Sequence, residues 1–283
     1  MNDSADRARP WVRIALDLRA IVFGLLIGMV AANLWPVLLL KVGMPAAAAL
    51  ELALLAVYVF WSAGGGPPRA LRVARAERFR LRSLSARDWL WGSIAAVSFA
   101  ATIHAAIVLL FRFVPYPAAA FHRGYDFSFI PSHSMQWLAC VVSAISAAIC
   151  EETGFRGYMQ QPIERNHGPA VAILTSSLFF TLIHFTKDWA LIGMVPIVFG
   201  AGLLLGWMAR AAGTLVFGMI GHTIMDVGLF AYWWTQIAGV FAQKPIPQAG
   251  MDTSFVLECA VFALMLSLVV VSIGRLRGGL RAA

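Results

Sequence analysis

The chain has 283 residues, of which 60% are hydrophobic and only 13% charged, and its mean hydropathy is +0.76. That composition excludes an ordinary soluble domain. The net charge of +8 raises nucleic acid as a partner, but the arginines cluster between apolar segments, which points to a membrane surface, and no nucleic-acid partner is expected.

Apolar segments long enough to cross about 30 Å of hydrocarbon recur along the whole length. The first is 20–40. The polar stretch before it mixes Asp3, Asp6 and Asp17 with arginines, which suits an uncleaved first helix better than a signal peptide. The second, 42–63, is stopped by the turn GGGPPRALR at 64–72. Arginines at 69–82 then alternate with Leu, Val, Ala and Phe, as in an amphipathic segment lying on anionic lipid. The third segment, 89–112, leads into an aromatic-rich external loop at 114–134. The fourth and fifth, 135–155 and 170–186, flank the tight turn NHGP at 166–169. The sixth is 189–209 and the seventh 212–232. A last external loop at 241–252 precedes the eighth, 253–274.

The expected fold class is therefore all-α: a polytopic integral membrane protein of about eight transmembrane helices, one domain over 1–283. With the N-terminus inside, 17 of the 22 basic residues fall on cytoplasmic segments, so the positive-inside rule puts both termini in the cytoplasm. All ten tryptophans fall near predicted helix ends. Cys140, Cys150 and Cys259 lie within spans, at spacings of neither a disulfide framework nor a zinc site, and read as packing residues.

Ionisable residues inside these spans are few, and a buried charge in hydrocarbon is a functional candidate unless it serves helix packing. Glu51, His104 and Glu258 stand alone and read as structural. Five others do not. In AAICEETGFRGYMQ (147–160), Glu152 and Arg156 are i and i+4, the favourable order for an intrahelical ion pair. Glu151 lies about 100° around the helix, left for chemistry. FFTLIHF carries His184, with Phe180 one turn before it. Glu151 precedes Asn166 by 15 residues and His184 follows Pro169 by 15, so on antiparallel helices both lie about 22 Å from the shared turn. Pro162 is the one residue that threatens this register with a kink. GHTIMD adds His222 and Asp226 at i and i+4, either two ligands or an imidazole oriented by a carboxylate. Two carboxylates and two histidines in a dry site suit activation of water, alone or on a metal. Cys150 points away from Glu151 and has no apparent base.

The motifs EETGFRGYMQ, FFTLIHF and GMIGHTIMD, in that order, are similar to the EExxxR, FxxxH and HxxxN/D motifs of the intramembrane CaaX proteases and bacteriocin-processing enzymes (the CPBP or Abi family), with the Ras-converting CaaX endopeptidases among them. The resemblance covers a core of about 135–230. It implies an intramembrane endopeptidase of a bacterial inner membrane, with a membrane-associated protein or peptide as substrate and the lipid bilayer as its setting. Position by position it implies Glu151 as the water-activating base, with His184 acting on the same water. His222 with Asp226 would stabilise the oxyanion, and Glu152 and Arg156 would support them, beside Phe180. Zinc is a candidate cofactor, with Glu151, His184, His222 and Asp226 as candidate ligands. Many members carry asparagine where Asp226 stands, and an ionised aspartate accepts hydrogen bonds without donating them. The readings from other classes are a proton-coupled transporter and an immunity-type protein that binds a peptide toxin.

Overall fold

The computed structural model describes residues 10–122, 127–184 and 189–276. The expected basic residues Arg7, Arg9, Arg277 and Arg281 lie outside the described residues, as do Asp3 and Asp6. Every regular element described is helical. They are α1 (Pro10–Gly28), α2 (Val30–Lys41), α3 (Ala46–Ser62), α4 (Arg72–Phe79), α5 (Ala86–Phe113), α6 (Ala118–His122) and α7 (His133–Glu151). After α7 the helix widens into π turns over Glu152–Gln160 and tightens again as α8 (Gln161–His167). Then follow α9 (Pro169–His184), α10 (Val195–Ala212), α11 (Val216–Gly228) with a π extension Leu229–Trp234, α12 (Ile246–Ala249) and α13 (Thr253–Arg275).

Among the described residues six stretches are long and apolar enough to cross a membrane: Trp11–Lys41, Ala86–Phe113, His133–His167, Leu191–Ala212, Val216–Trp234 and Thr253–Arg275. The chain is an integral membrane protein. Each of the eight expected segments contains helix, but α3 and α9 have only 17 and 16 described residues and fall short of the others. The outer faces remain apolar, as in Ile14, Leu18 and Val22 on α1 and Val256, Leu257 and Val261 on α13. Inside, α5 packs against α11 and α13, α11 against α7, and α10 against α9. Phe99, Ile107, Phe111, Leu205, Met208 and Trp233 fill the space between them.

The α7–α8 rod is the central element, and its widened turns need small neighbours. A Cβ on Gly154 would lie 2.5 Å from the backbone of Gly24 and Gly28, and one on Gly157 would lie 2.5 Å from the Arg78 carbonyl oxygen. Helix α1 therefore docks through Gly24-xxx-Gly28, the small-residue pattern that brings membrane helices into backbone contact. Side chains bond the carbonyls around the widened stretch. Thr153 Oγ1 donates to Ile149 O at 2.7 Å and Ser176 Oγ to Phe155 O at 3.2 Å. Gln160 Nε2 donates to Gly206 O at 3.0 Å. Pro162 causes no break, because it stands in the first turn of α8, where a missing N–H is tolerated.

The arginine loop corrects one expectation. Arg75 is buried and donates to the carbonyls of Gly65, Gly66, Pro67 and Pro68 at 2.7–3.3 Å. Arg80 and Arg82 reach the carbonyls of Ala209 and Ala212 at the C-terminal end of α10, and Glu164 bonds both Arg80 and Arg210. Burial lowers the pKa of Arg80, and the Glu164 carboxylate opposes that. Arg75 thus closes the loop after α3, while Arg80 and Arg82 close the end of α10, where unpaired carbonyls attract cations. Within the loop the exposed arginines are Arg69, Arg72 and Arg87.

Gly154→Leu is expected to separate α1 from the rod at a cost of about 1–3 kcal/mol or more, read as a lowered unfolding temperature in detergent. Gly200→Ala, whose Cβ would meet nothing within 4 Å, serves as the control. Equal unfolding temperatures for Gly154→Leu and wild type would refute the close docking.

Candidate active site

Glu151 ends the regular turns of α7 and Glu152 begins the widened stretch, so the two carboxylates leave the rod in different directions. Glu152 turns into protein. Its Oε1 lies 3.0 Å from Arg156 Nη1, and both side chains are fully buried. Arg156 also donates to Gly202 O at 3.3 Å and lies 4.5 Å from the centre of the Phe180 ring. The close approach of α11 depends on Gly218, since a Cβ there would come within 2.9 Å of Glu152 Oε2.

His222 meets the same carboxylate. Its Nδ1 lies 3.0 Å from Glu152 Oε1, a contact between residues 70 positions apart. Its Nε2 lies 3.5 Å from Asp226 Oδ2 and 3.8 Å from Glu151 Oε2. The sequence paired the His222 ring with Asp226, one turn away. The structure gives the orienting bond to Glu152, and Asp226 stands beyond good hydrogen-bond distance on the other side of the ring. With Nδ1–H donated to Glu152, the opposite edge of the ring faces Asp226 and Glu151.

His184 is fixed by its own helix. Its Nδ1 lies 2.6 Å from Phe180 O, and a carbonyl only accepts, so Nδ1 carries the proton and a neutral ring has its lone pair on Nε2. The Phe180 ring lies between the two histidines, 4.7 Å from the His184 ring and 5.8 Å from that of His222.

Glu151, His184, His222 and Asp226 all line one cavity of about 360 Å³, while Glu152 and Arg156 stand behind its wall. The rest of the lining is mostly apolar, including Ile103, Val198, Met225 and Phe230. The α1–α2 junction adds Met29, Trp35 and Pro36. That makes Trp35, read from sequence as a helix-end tryptophan, a buried wall residue. Ser143, Ser146 and Ala147 complete a stripe with Glu151 on α7, at a helical spacing that was readable in the sequence and was not used.

The remaining ionisable residues serve packing. His104 Nε2 donates to Met225 O at 3.1 Å and its Nδ1 accepts from Trp233 Nε1 at 3.3 Å. Glu258 and Asp252 lie 3.6 and 2.7 Å from the buried Arg112. Asp252, which caps α13, has its pKa lowered by the N–H of Phe255 and by Arg112. Glu51 is buried on α3 outside the cavity lining. None of the three cysteines lines the cavity, and none is in a disulfide.

The donor types around the cavity suit zinc. Among the described residues, however, no three His, Cys, Asp or Glu side chains are arranged to hold a metal ion. One ring nitrogen of each histidine is already committed within the protein.

Two substitutions separate Glu152 from Asp226 as partners of His222. Asp226→Asn is expected to leave the unfolding temperature near that of wild type, because Glu152 still orients the ring. Glu152→Gln leaves Arg156 without its buried partner, a loss of about 3–5 kcal/mol when one member of such a pair is removed, and is expected to lower the unfolding temperature. The reverse order of effects would return the orienting role to Asp226.

Residues 133–228 match the family model described as type II CAAX prenyl endopeptidase Rce1-like. No curated protein and no solved structure matches the chain. The matched segment contains α7, the widened turns and α8–α11, and thus Glu151, Glu152, Arg156, His184, His222 and Asp226. Over this segment, about a third of the chain, the protein is similar to the CaaX-type proteases.

Proposed function

We propose that the chain is an intramembrane endopeptidase that hydrolyses a peptide bond of a membrane-associated protein or peptide with side-chain-activated water. The carrying observation is that Glu151, His184, His222 and Asp226 line one largely apolar cavity inside the bundle. An apolar enclosure strengthens every charge interaction within it and limits competing water.

Each residue has a distinct part. Glu151 takes a proton from a water that also donates to His184 Nε2, and the water oxygen attacks the peptide carbonyl carbon. The resulting oxyanion receives a hydrogen bond from protonated Nε2 of His222, the ring edge turned away from Glu152. Asp226 balances the charge of that ring. Breaking the C–N bond returns the proton from Glu151 to the leaving amine, so atoms and charge balance. Glu152 and Arg156 touch no substrate and position His222. No step runs through a metal.

Eight crossings follow if α3 and α9 also span, both near the lower length limit for a transmembrane helix. Both termini then lie on the arginine-rich side, the cytoplasm under the positive-inside rule, with a bacterial inner membrane as the setting.

Glu151→Gln and His184→Ala are each expected to lower cleavage of a peptide library by about 100-fold or more while protein levels persist. Retained cleavage in either variant would sink the assignment. Metal content, measured on wild type beside His184→Ala, tests the metal-free route: stoichiometric zinc lost together with cleavage would overturn it. A protease-sensitive tag at either terminus should be cut only when the cytoplasmic face is open.

A further inference from the structure

Away from the catalytic cavity, α1, α4 and α8 enclose a second cleft of about 200 Å³. Its polar lining includes Arg19, Arg78 and Arg165, with Tyr158, Gln161 and Asn166. Three guanidinium groups meet one carboxylate, Glu77, which is already paired with Arg165 at 3.0 Å. At the rim Asp17 is taken up by Asn166 and His167, at 3.0 and 2.6 Å. Among the described residues no carboxylate pairs with Arg19 or Arg78. This distinguishes them from Arg75, Arg80 and Arg82, whose guanidinium groups close loops and helix ends.

The cleft also holds a buried hydroxyl. Tyr158 is only 3% exposed, Arg78 is the donor near its hydroxyl oxygen, and among the described residues no acceptor takes the hydroxyl proton. Arg78 stacks on the same ring, 4.9 Å from its centre. A buried hydroxyl proton without an acceptor is unfavourable, and an acceptor in the cleft would satisfy it. The remaining wall is apolar, with Leu16, Ala20 and the half-exposed Phe23 of α1. Below it, Val22 and Leu26 keep the outer face of α1 apolar.

We propose that this cleft binds the phosphate of an anionic phospholipid. Arg19 and Arg78 supply the charge, the Tyr158 hydroxyl donates to a phosphate oxygen, and the acyl chains lie along the apolar face of α1. Phosphate suits the site because its oxygens accept from several guanidinium and hydroxyl donors at once. The location suits a lipid, because basic pockets between helices at the charged end of a membrane protein hold acidic headgroups. Occupation would also bear on the catalytic rod. Arg78 contributes the carbonyl against which Gly157 of the widened turns packs, so a bound headgroup ties α4 and α1 to the helix that carries Glu151.

The test uses the full chain purified in a neutral detergent. Retention of phosphatidylglycerol is compared with that of phosphatidylcholine by native mass spectrometry, with inorganic phosphate added in a separate arm. Wild type is expected to retain phosphatidylglycerol at least fivefold over phosphatidylcholine and to unfold several degrees higher with it. Arg19→Gln combined with Arg78→Gln should abolish both effects, whereas Arg87→Gln, an exposed arginine outside the cleft, should leave them intact. Displacement by millimolar inorganic phosphate would support the phosphate site and identify its ligand as the free ion. Equal retention of the two lipids by wild type, or undiminished retention by the double variant, would overturn the proposal. Should the double variant not fold, the exposed Arg19→Gln alone decides, with a loss of phosphatidylglycerol preference expected.

Discussion

The buried carboxylate of Glu152 is the contact around which the bundle is organised. It is fully removed from solvent and bonds Arg156 on its own rod and His222 on α11, each at 3.0 Å. Moving such charges out of water costs several kcal/mol per ion, so the arrangement persists only where geometry and further bonds offset that cost. Arg156 finds them in the Gly202 carbonyl and the face of Phe180. Glu152 finds them in the ion pair with Arg156 and the hydrogen bond from His222, and the bare Cα of Gly218 lets α11 come close enough to deliver the histidine. Loss of any of these contacts leaves a charge in a medium that cannot solvate it.

The widened helix makes this arrangement possible. Extra width in the turns after Glu151 brings neighbouring backbone into the space that side chains would otherwise fill. Gly154 and Gly157 receive α1 and the end of α4 there, and Gly202 and Gly206 on α10 expose the carbonyls that Arg156 and Gln160 bond. Single π turns recur inside α-helices at functional positions, where they redirect side chains. In this chain the change of pitch falls between two adjacent glutamates. One carboxylate goes into the protein, to Arg156 and His222, and the other into the cavity.

The Glu151 cavity and the basic cleft sit against the same rod. Each has an arginine stacked on an aromatic ring, Arg156 over Phe180 behind the wall of the first and Arg78 over Tyr158 in the second. A guanidinium is weakly hydrated and stacks well, so it can be held in partly apolar surroundings where an ammonium would be more costly to desolvate. Behind the cavity wall the stacked arginine holds a carboxylate of the chain itself. In the cleft, among the described residues, Glu77 pairs with Arg165 and no carboxylate pairs with Arg78, which leaves the stacked guanidinium available for the proposed lipid phosphate.

Sequence alone determined what depends on composition and on spacing within one helix. Eight apolar segments follow from hydropathy, and the Glu152–Arg156 pair follows from a separation of four residues on one rod, since covalent geometry fixes which residues share a face. The depth shared by Glu151 and His184 was legible for the same reason, as distance from a turn along two helices. Only the tertiary structure decided the contacts between helices. His222 takes its orienting bond from a residue 70 positions away, although Asp226 is one turn from it. Three arginines that suited a lipid surface turn inward to carbonyls. Trp35 lines a cavity wall. A contact between helices depends on how closely and at what angle two backbones cross. For His222 that is set by Gly218, and for α1 on the rod by Gly24, Gly28 and Gly154, small residues that hydrophobic periodicity does not register.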